Sequence, residues 1–209
     1  MITLALDTST ATGSIAVLQD DRPLAERTFG RDELFRTLRE LNVDLAQVDQ
    51  FAVGLGPGSF TGIRAGIAAA KGLALPGGKP IKGINSFDAL AITAARHIPR
   101  DCPQMCVLCD ARRDEVYYAL YNSTGQRQTD IRIATLEQIA DEIHNPIWFV
   151  SPEIEKFAAD IRLNFGGFAT VCEKPLTPSA AALGWLASRG EGVDKLEPIY
   201  LRETTYRKA

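Results

Sequence analysis

The sequence predicts an α/β protein of two related lobes, each a mixed sheet covered by helices. Three observations carry this reading. The chain opens with an apolar run ending in a carboxylate, Ile2-Thr3-Leu4-Ala5-Leu6-Asp7, then a small polar turn from Thr8 to Gly13, then the alternating Ser14-Ile15-Ala16-Val17-Leu18. The same grammar returns around residue 106: an apolar run ends at Asp110, a polar turn spans Ala111 to Asp114, and a strand follows from Glu115 to Tyr121. In both halves, strand-like segments then alternate with segments of helical period. The two lobes divide near residue 100, as 1–100 and 101–209, with the last helix available to pack back on the first lobe.

Each further element has its own signal. Leu24 to Phe29 reads as a third strand, and Asp32 to Asn42 carries Leu34, Leu38 and Leu41 at helical spacing. A strand over Phe51 to Leu55 leads into Gly56-Pro57-Gly58-Ser59-Phe60-Thr61-Gly62, after which Ile63 to Leu75 reads as helix. Lys79 to Ile84 resembles a strand, and Asn85 or Ser86 caps a helix through His97. In the second half the turn Asn122-Ser123-Thr124-Gly125 precedes a strand ending at Ala134. Thr135-Leu136-Glu137-Gln138 is a capping box for a helix to about His144. Ile147 to Val150 is a strand, Pro152 to Leu163 a helix, and Pro178 to Ser188 a helix that Gly190 ends.

Composition excludes several classes. A chain of 209 residues with 45% hydrophobic and 23% charged residues is long enough to bury a core and has ordinary globular content. The longest stretches without Asp, Glu, Lys or Arg are 14 residues, Gln50 to Ile63 and Pro175 to Ser188. Both fall short of the roughly 18 to 20 that a membrane helix needs. The start MITLALDTST lacks a basic segment and soon meets Asp7, so it does not read as a signal peptide, and the expected compartment is the cytoplasm. With 23 basic and 26 acidic residues the net charge is −3, and no basic run exceeds a dipeptide. Tight, direct nucleic-acid binding is therefore not supported, and RNA contact is expected only together with a partner.

The residues that bear on chemistry are few. Cys102, Cys106 and Cys109 have a spacing that suits an iron–sulfur cluster, but Met105 to Cys109 reads as a buried strand. Side chains three apart on a strand point to opposite faces, so these are expected to be core thiols. His97 and His144 are 47 positions apart and form no zinc-seating H-x-x-x-H or H-E-x-x-H pair, and no G-x-S-x-G surrounds Ser59. Asp7, Thr8 and Ser9 put a carboxylate beside hydroxyls at a strand end, where it either faces a phosphate or metal-bound water or closes its own turn. Gly56, Gly58 and Ser59 lie between a strand and a helix, an anion-favouring place, although the spacing is not that of a Walker A loop and suits a structural turn as well. Asp110, Arg112, Arg113, Asp114 and Glu115 form the densest charge cluster, whose usual fate is a solvated hairpin turn.

The helix after the glycine turn has two apolar sides. One carries Phe60, Ile63, Ile67, Ala70 and Ala74; the other carries Gly62, Ala65, Gly66, Ala69 and Leu73. Such a helix must be buried twice. Small residues on the second side allow close approach of another helix, from this chain or from a partner.

Taken in order, Asp7-Thr8-Ser9, Gly56 to Arg64, Lys71-Gly72-Leu73-Ala74, Asp110-Ala111-Arg112-Arg113-Asp114-Glu115-Val116-Tyr117 and the tail Pro198-Ile199-Tyr200-Leu201-Arg202 resemble the TsaB (YeaZ) family over nearly the whole chain. The resemblance implies an actin-like ATPase fold of the sugar kinase and heat-shock ATPase type. It implies a non-catalytic partner and scaffold for TsaD, which transfers a threonylcarbamoyl group to the exocyclic amine of the adenosine beside the tRNA anticodon, with TsaE completing the machinery. The first two helices, through Leu34, Leu38, Gly62, Ala65, Gly66, Ala69 and Leu73, would dock on TsaD, or on a second copy to give a homodimer when TsaD is absent. TsaB-type chains lack the metal-binding histidine pair of TsaD, in keeping with the missing H-x-x-x-H. Neither a metal nor a cofactor of its own is implied; ATP or ADP would sit only at an interface shared with the partner, and tRNA would be contacted only indirectly.

The segment Arg31 to Gln50 is shorter than the family's usual first helix and loop, and Arg31-Asp32-Glu33 replaces its His-Ser-type start, so an altered partner surface is expected. The competing expectation is an active phosphotransferase of the same fold, with Asp7 near a metal-bound nucleotide. It needs a glycine-rich second phosphate loop where this chain has Ala111-Arg112-Arg113. A glycopeptidase activity is not expected from a chain without the zinc ligands.

Overall fold

Residue size sets how the first sheet is covered. In the computed structural model, which describes residues 1–30 and 32–201, β1 (Ile2–Asp7), β2 (Gly13–Gln19), β3 (Arg22–Phe29), β4 (Gln50–Gly54) and β5 (Ile81–Ile84) form one sheet in the order β3-β2-β1-β4-β5. Leu4, Leu6, Ile15, Val17, Phe51 and Val53 point to one face and pack under α1 (Leu34–Glu40) and α2 (Phe60–Ala74). Ala5, Ala16, Leu18 and Ala52 point to the other face, where α6 (Ala180–Ser188) lies on them through Ala180, Leu183 and Ala187. Alanine on both surfaces brings the helix close. At the nearest point a Cβ on Gly184 would strike the Leu18 side chain.

The second sheet repeats the first. Its strands β6 (Gln104–Arg112), β7 (Glu115–Asn122), β8 (Arg132–Ala134), β9 (Ile147–Val150) and β10 (Ala169–Val171) run in the order β8-β7-β6-β9-β10. In each sheet the first two pairings are antiparallel and the last two parallel. Cys106 and Leu108 face α4 (Leu136–Ala140) and α5 (Ile154–Phe165), whereas Met105, Val107 and Cys109 face α3 (Ser86–Ala95). Cys106 and Cys109 thus sit in different cores, as strand geometry demands, and all four cysteines are free thiols. Each lobe's last helix covers the other lobe's sheet: α3 packs on β6, while α6 packs on β1 and β2, and the two helices touch each other.

After α6 the chain returns across the edge of β5. Gly83 and Val193 exchange both backbone hydrogen bonds, at 2.8 and 3.0 Å, and Lys82 pairs with Asp194 at 2.8 Å. Ile199 then donates its amide to the Leu55 carbonyl at 2.9 Å, and Leu196 and Ile199 pack against the first core. The strap covers an edge that would otherwise expose unpaired backbone groups.

Several boundaries differ from the sequence reading. The first helix begins at Leu34, because Asp32 takes φ 69°, a left-handed conformation outside a right-handed helix. The third ends at Ala95, short of His97, and the fourth at Ala140, short of His144. β10 has only three half-buried residues, too few for an alternation to show. Phe60, placed by helical period on the buried stripe, is 51% exposed and stacks on Tyr200 instead. Arg31 of the altered helix start and Arg202 of the tail motif lie outside the described residues.

Candidate functional site

A buried carboxylate holds the first-lobe turn to the glycine loop. Asp7 ends β1 with 1% exposure, and both of its oxygens are occupied. Oδ1 accepts from the Ser9 amide at 2.7 Å and the Ser9 hydroxyl at 2.6 Å; Oδ2 accepts from the Ser86 hydroxyl at 2.6 Å. The Ser86 oxygen in turn accepts from the Gly56 amide at 3.0 Å, and the Ser86 amide donates to the Gly56 carbonyl at 2.9 Å. Burial raises the Asp7 carboxyl above the usual carboxylate range, against the opposing pull of these hydroxyl and amide donors. Of the two alternatives the sequence left open, the contacts formed are those of a side chain closing its own turn, with both oxygens engaged by donors of this chain.

The other turn residues are knitted together in the same way. The Ser59 amide donates to the Ser9 carbonyl at 2.7 Å, and the Thr8 hydroxyl donates to the Gly62 carbonyl at 2.8 Å. Ser59 is the N-cap of α2, its hydroxyl accepting from the Gly62 amide at 3.2 Å. A Cβ on Gly58 would strike the Ser9 carbonyl oxygen, and one on Gly62 the Thr8 carbonyl oxygen. The glycines thus bring backbone against backbone within this chain. Pro57 follows Gly56 through a cis peptide bond.

The structure redistributes the residues assigned to a partner surface. Leu38 is buried in the first core, and Leu34 and Leu73 are half-buried against it. Gly66 is buried under Thr8 and Leu6, Gly62 lies against Thr8, and Ala69 is half-buried. Of the seven only Ala65 is exposed. The face of α2 that does remain open carries Thr61, Ala65, Ala68 and Gly72, one helical turn apart in succession, flanked by the exposed Arg64 and Lys71. A Cβ added at Gly72 would meet nothing within 4 Å. Leu75, just past the helix, is 79% exposed.

The equivalent turn of the second lobe is built differently. Asp110, at the position in β6 that Asp7 holds in β1, pairs with Lys156 at 2.7 Å and Arg112 at 3.2 Å and accepts from the Arg112 amide at 2.8 Å. Burial alone would raise this carboxyl, but the Lys156 and Arg112 contacts outweigh it and hold it below the usual range. Arg112, Arg113 and Asp114 all take positive φ, at 67°, 57° and 62°, and none is a glycine. Glu115 opens β7 half-buried, paired across the strand ends with Arg112. The turn is therefore occupied by charged side chains where backbone approach to a phosphate would favour glycine.

Sequence reasoning missed the cluster at the start of α2. The Arg64 guanidinium lies over the Phe60 ring at 3.7 Å, and its Nε donates to the Tyr200 hydroxyl at 2.9 Å. Arg64 and Tyr200 are 136 positions apart, so only the returning strap reveals the contact. Two cavities, of about 460 Å³ beside Asp88, Arg127 and Trp185 and about 320 Å³ beside Gln104 and Asn145, both lie away from the Asp7 turn. Among the described residues no group of three His, Cys, Asp or Glu side chains is placed to hold a metal, and no helix is long and apolar enough to cross a membrane.

The repeated sheets agree with known structures of the actin-like ATPase fold. The ADPNP-bound activator of the 2-hydroxyisocaproyl-CoA dehydratase from Clostridium difficile superposes with a TM-score of 0.53 over 91% of this chain and 95% of that one, at 9% identity, a likeness of fold alone. A family model described as "TsaD: tRNA N6-adenosine threonylcarbamoyltransferase" matches residues 33–185. The tRNA threonylcarbamoyladenosine biosynthesis protein TsaB of Haemophilus influenzae is 30% identical, over 98% of this chain and 95% of that protein. The chain belongs to the TsaB (YeaZ) family. YeaZ from Pseudomonas aeruginosa has the same architecture, with a TM-score of 0.77 and 28% identity over 96% of this chain and 99% of that one. Within the TsaB frame, the Asp7 knot ties the first turn to the start of α3, while the Thr8–Ser9 turn and the Tyr200 strap both meet the start of α2.

Proposed function

We propose that this chain serves tRNA threonylcarbamoyladenosine biosynthesis as the docking partner and scaffold of a TsaD-type transferase, and makes or breaks no bond itself. The observation that carries the reading is the exposed small-residue face of α2, Thr61, Ala65, Ala68 and Gly72, on a helix whose opposite side is fixed in the core by Ile63, Ile67 and Ala70. A helix backbone can approach such a face closely, and its burial against a partner would be rewarded by packing on both sides. TsaE would join through the complex, tRNA would be bound through the partner, and two copies of this chain would pair through the same face when the transferase is absent. Nucleotide, where present, would lie between this chain and its partner.

The test is reconstitution with the transferase and TsaE-type ATPase from the same source. Omitting this chain is expected to abolish formation of the modified adenosine, and Ala68→Glu is expected to abolish the complex while leaving the monomer folded, since the longer charged side chain would hold a partner helix off the small-residue face and would have to be desolvated at the contact. A complete reaction without the chain would remove the assigned role. The position matters: Ala69 is half-buried, so a carboxylate there would also disturb the chain's own packing. A phosphotransferase would need Asp7 free to meet metal-bound nucleotide, whereas both its oxygens are engaged. Titration of the isolated chain with Mg-ATP is accordingly expected to give no tight binding.

A further inference from the structure

The open face of α2 is electrically one-sided. The helix carries Arg64 and Lys71 and no acidic residue, and both cations are exposed at the rim of the small-residue face. Arg64 is held in one orientation by two contacts. Its plane lies on the Phe60 ring at 3.7 Å, and the Tyr200 hydroxyl takes its Nε hydrogen at 2.9 Å. Phe60 and Tyr200 stack on each other with centroids 5.2 Å apart, so the backbone strap that positions Tyr200 also fixes the aromatic platform. No described residue pairs with the two terminal nitrogens of Arg64. A guanidinium with its face stacked and its Nε satisfied presents one remaining edge, the planar pair of donors that matches a carboxylate. One helical turn separates it from Thr61 on one side and Ala68 on the other.

The geometry points to Arg64 as the specificity-determining contact of this face: its open guanidinium edge receives a carboxylate from an acidic partner helix lying across Ala65, Ala68 and Gly72. Tyr200 is the positioning residue, acting through Arg64. The inference rests on the docking reading above and adds the chemistry that selects the partner. Because the fork is already ordered, little side-chain entropy is lost on binding.

The experiment measures the affinity of the full chain for the TsaD-type transferase of the same source, with thermal melts confirming that each variant folds. Arg64→Ala is expected to weaken the complex by about tenfold or more, as buried arginine contacts at interfaces do. Arg64→Lys is expected to restore little, having no fork, and Tyr200→Phe to weaken binding by about threefold through loss of the Nε anchor. The effect of Arg64→Ala should shrink at high salt. If Ala68→Glu abolishes binding while Arg64→Ala stays within about twofold of the parent, docking stands and the Arg64 proposal falls. If Ala68→Glu has no effect, the docking reading itself falls and takes this proposal with it. Full rescue by Arg64→Lys would reduce the contact to a point charge and overturn the fork. An equal loss from Glu203→Gln would identify the chain's own tail as the carboxylate, and a loss of tRNA retention without loss of partner affinity would identify a phosphate; either result overturns it.

Discussion

Glu26, on the edge strand of the first lobe, accepts hydrogen bonds from the Ser179 hydroxyl at 2.7 Å and the Ala181 amide at 3.1 Å, at the start of the last helix. The contact joins positions 153 and 155 residues apart and places a carboxylate where helix N–H groups lack internal partners. It is one of the polar links by which α6 is held on the first lobe's sheet.

Glu26→Ala should therefore lower stability by about 1 to 2 kcal/mol, the range for losing a helix cap with a charge-assisted bond. Glu26→Gln keeps an acceptor and should recover most of that. Urea denaturation measures both, and an unchanged midpoint for the alanine variant would show that α6 is held by its apolar face alone.

The Asp7 knot predicts an unusual pH dependence. The native carboxyl keeps its proton above the ordinary 3.8, while the unfolded chain has already released it. The unfolded state then binds fewer protons, so this group's contribution to stability falls as pH rises from about 3.8 to the raised native value. Asp7→Asn should flatten that fall in denaturation measured across the acid range. Asp88, also raised by burial, should leave a residual slope of the same sign.

Ser86→Ala removes the donor to Asp7 and leaves the buried Gly56 amide without its acceptor. A loss of about 1 to 3 kcal/mol is expected, the cost of an orphaned buried group. Hydrogen exchange should show the Gly56 amide losing protection ahead of β1.

Asp110 carries the opposite sign. Its native carboxyl titrates below 3.8, so the stability it contributes is present above that pH and is lost as pH falls through the lowered value. Lys156 is more than half exposed, which limits the pair to about 1 kcal/mol or less. Lys156→Ala should reduce this acid-side loss, leaving the part that Arg112 supplies, without altering the Asp7 slope.

Gly72→Ala separates monomer from complex. The position is helical, exposed and unobstructed, so alanine should stabilise the isolated chain by up to about 1 kcal/mol. The added methyl stands on the docking face and should weaken the complex. Gly62→Ala should do the reverse and destabilise the monomer, because its Cβ meets the Thr8 carbonyl.

By itself the sequence determined the repeated α/β plan, the strand that separates Cys106 from Cys109, the capping box at Thr135 and the family, because these follow from local periodicity, side-chain alternation and contiguous motifs. It did not distinguish which small residues of α2 face the chain's own turn and which face outward, since Gly62, Gly66 and Gly72 look alike until the β1–β2 turn is placed beside them. Nor did it show Phe60 leaving the buried stripe for Tyr200, or Ser86 reaching Asp7 while Asn85 caps the helix. Those outcomes depend on contacts between residues 54 to 140 positions apart. Only the tertiary structure decided them, because the energy of a buried hydrogen bond or a stacked ring depends on which distant segment arrives next to it, and no local pattern encodes that arrival.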